Sequence, residues 1–210
     1  LRAKLELYGS FNPETIVPDP TSLANLGQAE EINFNVAREA VTLISPSPED
    51  LNALLPSPPE MYDQIIIFTD ERTQHQCSNC QLLYDLPNFA FQNSLLSLYG
   101  PSGSNLILAN RLNSYTFKQL IDFLNGNTEG IDPYLPSNLN RAQWVIFNIK
   151  DLDPDLPETY ALRRMLAERF DLLREKKIVV FSYDAPYYLD ATEISKLTAY
   201  YGLYSSSQAF

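Results

Sequence analysis

Apolar residues follow two rhythms along this chain, and the change between them sets its organisation. From about residue 62 onward, short continuous apolar runs alternate with amphipathic stretches. The run at 64–69 (QIIIFT) is β-branched and apolar, the pattern of a strand buried on both faces. Runs at 105–109 (NLILA), 143–149 (QWVIFNI), 177–182 (KIVVFS) and 197–204 (LTAYYGLY) predict further strands. Between them, helical spacing predicts a helix over 88–99, with Phe91, Leu95, Leu98 and Tyr99 on one face and Gly100-Pro101 as its stop. Thr116 with Gln119 three residues on has the spacing of a capping box. Phe117, Leu120, Ile121 and Leu124 then face inward until Asn125-Gly126. A further helix starts near Pro157 with Leu162, Met165, Leu166, Phe170 and Leu173 on one stripe, and 192–196 predicts a short one.

Residues 1–60 behave differently. Leu1, Leu5 and Tyr8 mark a helix face that halts at Gly9, and Asn12-Pro13 and Pro18-Asp19-Pro20 read as turns and extended chain. A second helix carries Ala29, Ile32, Val36 and Ala40 on one face, with Glu30 and Glu31 in its first turn, near the positive end of the dipole. Residues 41–44 read as extended, so this helix is expected to belong with the sheet it leads into. Ser45-Pro46-Ser47-Pro48 and Pro56-Ser57-Pro58-Pro59 then bracket a loop. The expectation is an arm or linker with one or two helices over 1–60 and one α/β sandwich domain over 61–210. Strands alternating with helices imply right-handed crossovers. The fold class is therefore α/β: a doubly wound, mainly parallel sheet sandwiched by helices, Rossmann- or flavodoxin-like, with an extended amino-terminal arm. No repeat of fixed period is visible beyond that alternation.

Composition narrows the partners. The chain has 210 residues, 45% of them hydrophobic, enough for one sizeable core. Its formal net charge of −11 argues against nucleic acid, whose phosphates require clustered Lys and Arg. The adjacent pairs Arg163-Arg164 and Lys176-Lys177 read as a solvated helix face. The longest strongly apolar run, 65–68, is far too short for a membrane span. No signal-peptide or lipid-attachment pattern is seen, and the chain, opening on Leu1, reads as an excised piece. An extracellular or cell-envelope setting is favoured over a cytoplasmic one.

The inventory of chemistry is thin. After the first strand come Thr69-Asp70-Glu71-Arg72, not the glycines that let backbone approach a pyrophosphate, so no nucleotide cofactor is expected, nor any other. There is no G-x-S-x-G elbow, and His75 is the single histidine. It opens His75-Gln76-Cys77-Ser78-Asn79-Cys80, whose CxxC spacing suits a loop-closing disulfide or inert thiols first. Part of a zinc site with His75, or redox chemistry, stand behind that reading. Ligands of open parallel sheets collect beyond the carboxyl ends of the strands. The polar residues expected there are Asp70 and Arg72, Lys150 and Asp151, and Tyr183 and Asp184. Tyr187 and Tyr188, with Tyr200, Tyr201 and Tyr204, offer rings for stacking a sugar, although packing is the commoner use of such residues.

The order of these segments resembles the carboxyl-terminal part of family 3 glycoside hydrolases, which pair a TIM-type barrel with an α/β sandwich. The resemblance rests on Leu1-Arg2-Ala3-Lys4-Leu5-Glu6-Leu7-Tyr8-Gly9, then Val17-Pro18-Asp19-Pro20, then Val36-Ala37-Arg38-Glu39-Ala40-Val41-Thr42-Leu43-Ile44. Further on, Ile178-Val179-Val180-Phe181-Ser182-Tyr183-Asp184-Ala185-Pro186-Tyr187 is similar to the family's strand and following turn, with Asp184 where glycine is common. Ala199-Tyr200-Tyr201-Gly202 is similar to its closing strand. The N-acetylhexosaminidase-like branch is the nearest in character. The resemblance implies a retaining mechanism whose nucleophile lies on a barrel outside this chain. In that branch the acid/base His–Asp pair is also on the barrel. Some β-glucosidase-like members use a sandwich glutamate, but none here matches that motif, so no catalytic residue carries over. It further implies the barrel of the same parent chain as partner. The strand-end reading, beside it, offers Asp70, Arg72, Asp184 and Tyr187 as the residues to contact a carbohydrate. Two other readings stand beside the resemblance: a non-catalytic sugar- or protein-binding α/β module, and an unrelated α/β enzyme using the CxxC loop.

Overall fold

The computed structural model describes residues 29–204 apart from 76 and 128. The helix face at Leu1, Leu5 and Tyr8 and the turns at Pro13 and Pro18 to Pro20 lie outside the described residues. The chain divides after Glu39 into two units. In the first lies most of helix α1 (Ala29–Ala40), on which Ala37 is buried while Ile32 and Val36 are 65% and 62% exposed.

The second unit is built on a six-stranded sheet. Its strands are β1 (Thr42–Ser45), β2 (Ile65–Thr69), β5 (Leu112–Thr116), β6 (Trp144–Ile149), β7 (Lys177–Ser182) and β8 (Ala199–Gly202), in the spatial order β1-β8-β7-β6-β2-β5. All neighbours are parallel except β1, which runs antiparallel to β8 at one edge. Strands β3 (Thr73–His75) and β4 (Leu82–Tyr84) form a separate antiparallel hairpin. Counted from β2, the five parallel strands stand second-first-third-fourth-fifth, the flavodoxin-like doubly wound order. The chain leaves β2 outward to β5 and returns inward to β6, so the switch point lies between β2 and β6.

The two-residue alternation along each strand builds two cores. Ile66, Phe68, Val145, Phe147 and Val180 pack on one face, under helices α4 (Phe117–Leu124), α5 (Leu135–Arg141) and α6 (Ala161–Glu168). Ile65, Ile67, Trp144, Ile146 and Val179 pack on the other, under α3 (Ala90–Tyr99) and α2 (Pro48–Leu54). The second face is less fully covered. It keeps a groove of about 430 Å³ over Trp144, Ile146, Val179, Phe181 and Tyr201. This is the doubly wound sandwich the periodicity predicts. Among the described residues, no helix is long and apolar enough to cross a membrane.

Four local expectations are corrected. The segment 105–109 is not a strand. Asn105 takes the left-handed conformation (φ 56°), and the N–H groups of Leu106 and Ile107 both donate to the Tyr99 carbonyl, closing the end of α3. The strand comes later, as β5, whose polar sequence suits a sheet edge. On α3, Phe91, Leu95 and Leu96 reach the core, while Leu98 and Tyr99 are exposed. The Pro-bracketed loop contains α2, which Ser47 starts by accepting from the Asp50 N–H and from which Pro48 withholds no needed donor. The stretch beginning at Pro157 is not one helix. It is a 3₁₀ turn, then α6, then a second 3₁₀ turn at Phe170–Leu172.

The capping box is present. The Gln119 N–H donates to Thr116 Oγ1 at 3.2 Å, and the Thr116 N–H to Gln119 Oε1 at 2.9 Å. At the far end, Gly126 (φ 73°) supplies the left-handed turn. Thr116→Ala leaves a first-turn donor of α4 unpaired and should lower stability by about 1 kcal/mol, read as a reduced urea midpoint at unchanged slope.

Candidate functional site

The parallel strands bring their carboxyl ends to one edge, and the switch point between β2 and β6 gathers the charged residues there. The ladder runs one residue past β2, with the Asp70 N–H donating to the Asn148 carbonyl at 2.9 Å. Asp70 thereby sits beside the end of β6, where its Oδ2 also accepts from the Lys150 N–H at 3.3 Å. Arg72 grips Asp70 with two bonds, Nε to Oδ1 at 3.2 Å and Nη2 to Oδ2 at 2.7 Å. The same guanidinium donates to the Asp151 carbonyl at 2.6 Å and pairs with the Asp151 carboxylate. Lys150 Nζ pairs with Asp85, at the foot of the β3–β4 hairpin. The Asp85 N–H donates to the Arg72 carbonyl at 2.8 Å, and the Asn88 N–H to Glu71 Oε1 at 2.8 Å.

Burial decides what this network can do. The Asp70 side chain is 1% exposed and that of Arg72 14%. Burial pushes the Asp70 carboxyl above the usual carboxylate range, against the pull of Arg72. For Arg72, burial works against the charge but is outweighed by Asp70 and Asp151, which raise it further. Both Asp70 oxygens are engaged within the chain, so the pair fastens the loop after β2 to the loop after β6 and leaves Asp70 no lone route to a reacting atom.

The loop after β7 supplies the neighbouring surface. Tyr183 is buried, which raises its phenol. Asp184 is half-buried, and its carbonyl accepts from Ser182 Oγ at 3.3 Å. Tyr187 is 84% exposed. Burial also raises the Tyr188 phenol, with the charges of Asp184 and Asp151 adding to it. Tyr188 lines a small cavity with Asp151 and Leu152, so it lies beside the loop after β6. Among the described residues, no hydrogen bond joins Asp184 or Tyr187 to Asp70 or Arg72. Sequence reasoning placed Asp70, Arg72, Lys150, Asp151 and Asp184 on this edge. It missed Asp85, which no local pattern ties to Lys150. Tyr200 is fully buried, its phenol pushed up to about 12 by burial, and Tyr201 stacks on Phe181 at 5.5 Å. Those two rings pack the sheet.

Cys77 and Cys80 form a disulfide across the hairpin turn, with Cα atoms 4.9 Å apart. The Cys80 N–H donates to the Cys77 carbonyl at 3.0 Å, and His75 Nδ1 lies 3.0 Å from the Cys80 carbonyl oxygen. Sulfurs bonded to each other are not thiolates and cannot serve as zinc ligands. Among the described residues, no three or more His, Cys, Asp or Glu side chains converge to hold a metal.

No protein-family model matches the chain, and no curated protein matches it. Among solved structures it is similar to a β-glucoside phosphorylase, BglX, bound to 2FGlc, at 14% identity and a TM-score of 0.47. The match covers 87% of this chain and 28% of that one, so this chain spans under a third of that protein's length.

Proposed function

We propose that this chain is the carboxyl-terminal accessory domain of a family 3-type glycoside hydrolase, with the bond-breaking groups on a TIM-type barrel of the same parent chain. The reading is carried by where the quoted segments fall. The segment 36–44 runs from α1 into β1, 178–187 is β7 with the turn after it, and 199–202 is β8. The parent on this reading hydrolyses a β-linked N-acetylhexosaminide or β-glucoside. The carboxyl edge supports a non-catalytic part, because its most buried carboxylate, Asp70, is spent on Arg72. Asp70 and Arg72 then hold the edge in shape, while Asp184 and the exposed ring of Tyr187 are the groups left to meet a sugar.

The test is direct. Purified protein should give no turnover above a buffer blank with aryl β-N-acetylglucosaminide or aryl β-glucoside. Clear turnover that disappears in Asp151→Asn or Asp184→Asn would overturn the accessory reading and place catalysis in this domain.

A further inference from the structure

The β3–β4 hairpin is fastened at its two ends by different chemistry. Its ladder has three pairs, Thr73↔Tyr84, Gln74↔Leu83 and His75↔Leu82. A lone two-stranded hairpin is marginally stable in water. This one gains little from its flanks, since Leu82, Leu83 and Tyr84 are all exposed. At the base, charges hold it: Asp85 is paired with Lys150, and its N–H is bonded to the Arg72 carbonyl. At the tip the fastening is covalent, the Cys77–Cys80 disulfide spanning a four-residue turn. Cys77 is exposed and Cys80 half-buried, so an outside thiolate can reach Cys77 first.

We propose that Cys77–Cys80 is a thiol–disulfide exchange site whose reduction unfastens the β3–β4 hairpin and leaves the sheet intact. The co-reactant is a dithiol. One of its thiolates attacks Cys77 Sγ, the S–S bond breaks, and the electron pair leaves on Cys80 Sγ, which takes a proton from water. The second thiol of the reductant then displaces Cys77, which is protonated in turn. Two electrons pass to the protein, which ends with two thiols, and the reductant ends as a disulfide. The effect stays local. The covalent ring closes only four residues, so it constrains the turn and not the rest of the chain. The clamp at Asp85 contains no sulfur and survives the reaction. What changes is whether Leu82, Leu83 and Tyr84 are presented as an ordered strand beside the charged edge. This inference is independent of the glycosidase reading.

The experiment is to treat the native chain with a dithiothreitol series, count alkylated thiols by mass, and follow amide exchange. Two alkylations per chain should appear without denaturant. Exchange over 73–84 should then rise about tenfold or more, the loss expected for a short loop constraint. Exchange over 65–69 and 144–149 should not change. The double variant Cys77→Ser/Cys80→Ser should exchange fast over 73–84 and ignore the reductant. Three results would overturn the proposal: sulfurs that resist alkylation until the chain is denatured, freed thiols with 73–84 as protected as before, or protection lost across the whole sheet. A double variant that fails to fold would count against it equally, because the disulfide would then be a staple of the fold.

Discussion

Arg72→Met should destabilise this chain by about 3–5 kcal/mol at neutral pH. The part of the deficit owed to the Asp70 charge should fall away in acid, leaving the smaller loss of the Arg72 bond to the Asp151 carbonyl. The Asp70 side chain is 1% exposed, and Arg72 supplies two of the hydrogen bonds that compensate its charge. Removing the guanidinium leaves a buried carboxylate with the Lys150 N–H alone. The sign follows from the direction of the shift. Burial already raises Asp70 above 3.8, so protonated Asp70 is the form the fold prefers. The stability tied to it is complete below that value and is lost as pH rises through the folded pKa. Taking away Arg72 removes the largest opposing effect, so the folded pKa climbs and the loss at neutral pH grows. Urea unfolding of both proteins from roughly pH 4 to 7 should show the gap between the curves narrowing toward the acid end. Asp70→Asn/Arg72→Met should recover most of the deficit at neutral pH, since no charge is then stranded. A single variant losing under about 1 kcal/mol would mean the pair is solvated and the edge is not held by it.

Phe147→Ala should cost about 3–5 kcal/mol with no dependence on pH. Phe147 is fully buried on the central strand β6. Its ring stacks on Phe68 at 5.4 Å and meets the edge of Phe117 at 6.4 Å, tying β2 and the first turn of α4 to the sheet. Truncation removes the ring and opens a cavity that β-branched neighbours fixed in strands cannot collapse to fill. Phe89→Ala, at an exposed phenylalanine, should stay within about 0.5 kcal/mol of the parent protein. Comparable losses at the two sites would refute the layering described for the sheet.

Strands buried on both faces announce themselves, and β2, β6 and β7 were legible because apolar content alone defines them. β5 was hidden because an edge strand needs apolar residues at only two of its positions, and Leu112 and Tyr115 supply them within LNSYT. NLILA misled for the converse reason. Its apolar side chains sit on a segment whose backbone is committed to the end of α3. Helix α5 was missed because LPSNLNR offers only Leu135 and Leu139 to the core, one short apolar interval with no periodic run. For the candidate site, position along the fold was readable and engagement was not. Asp70, Arg72, Lys150 and Asp151 were assigned to the strand ends from topology. That Asp85 meets Lys150, and that Arg72 reaches Asp151, are contacts between segments far apart in sequence. The Asp70–Arg72 pair is local, but its burial comes from the fold around it.

The pairing of β1 with β8 bears on how the molecule assembles. Thr42 sits opposite Gly202, the longest-range partnership in the sheet, whereas β7 and β8 are joined through a short crossover. Closing so large a loop carries the greatest chain-entropy cost of any ladder here, and its return is four residues at an edge with a bulge between Leu43 and Ser45. β1 should therefore be the last strand to join the ladder and the first to lose amide protection, an order that native-state hydrogen exchange would read directly. When β1 peels away, five strands persist, and β8 offers a bare backbone edge that the same segment of a second chain can occupy as well as its own. Exchange of β1 between two chains at β8 is thus a route to a dimer that leaves the other five strands in place.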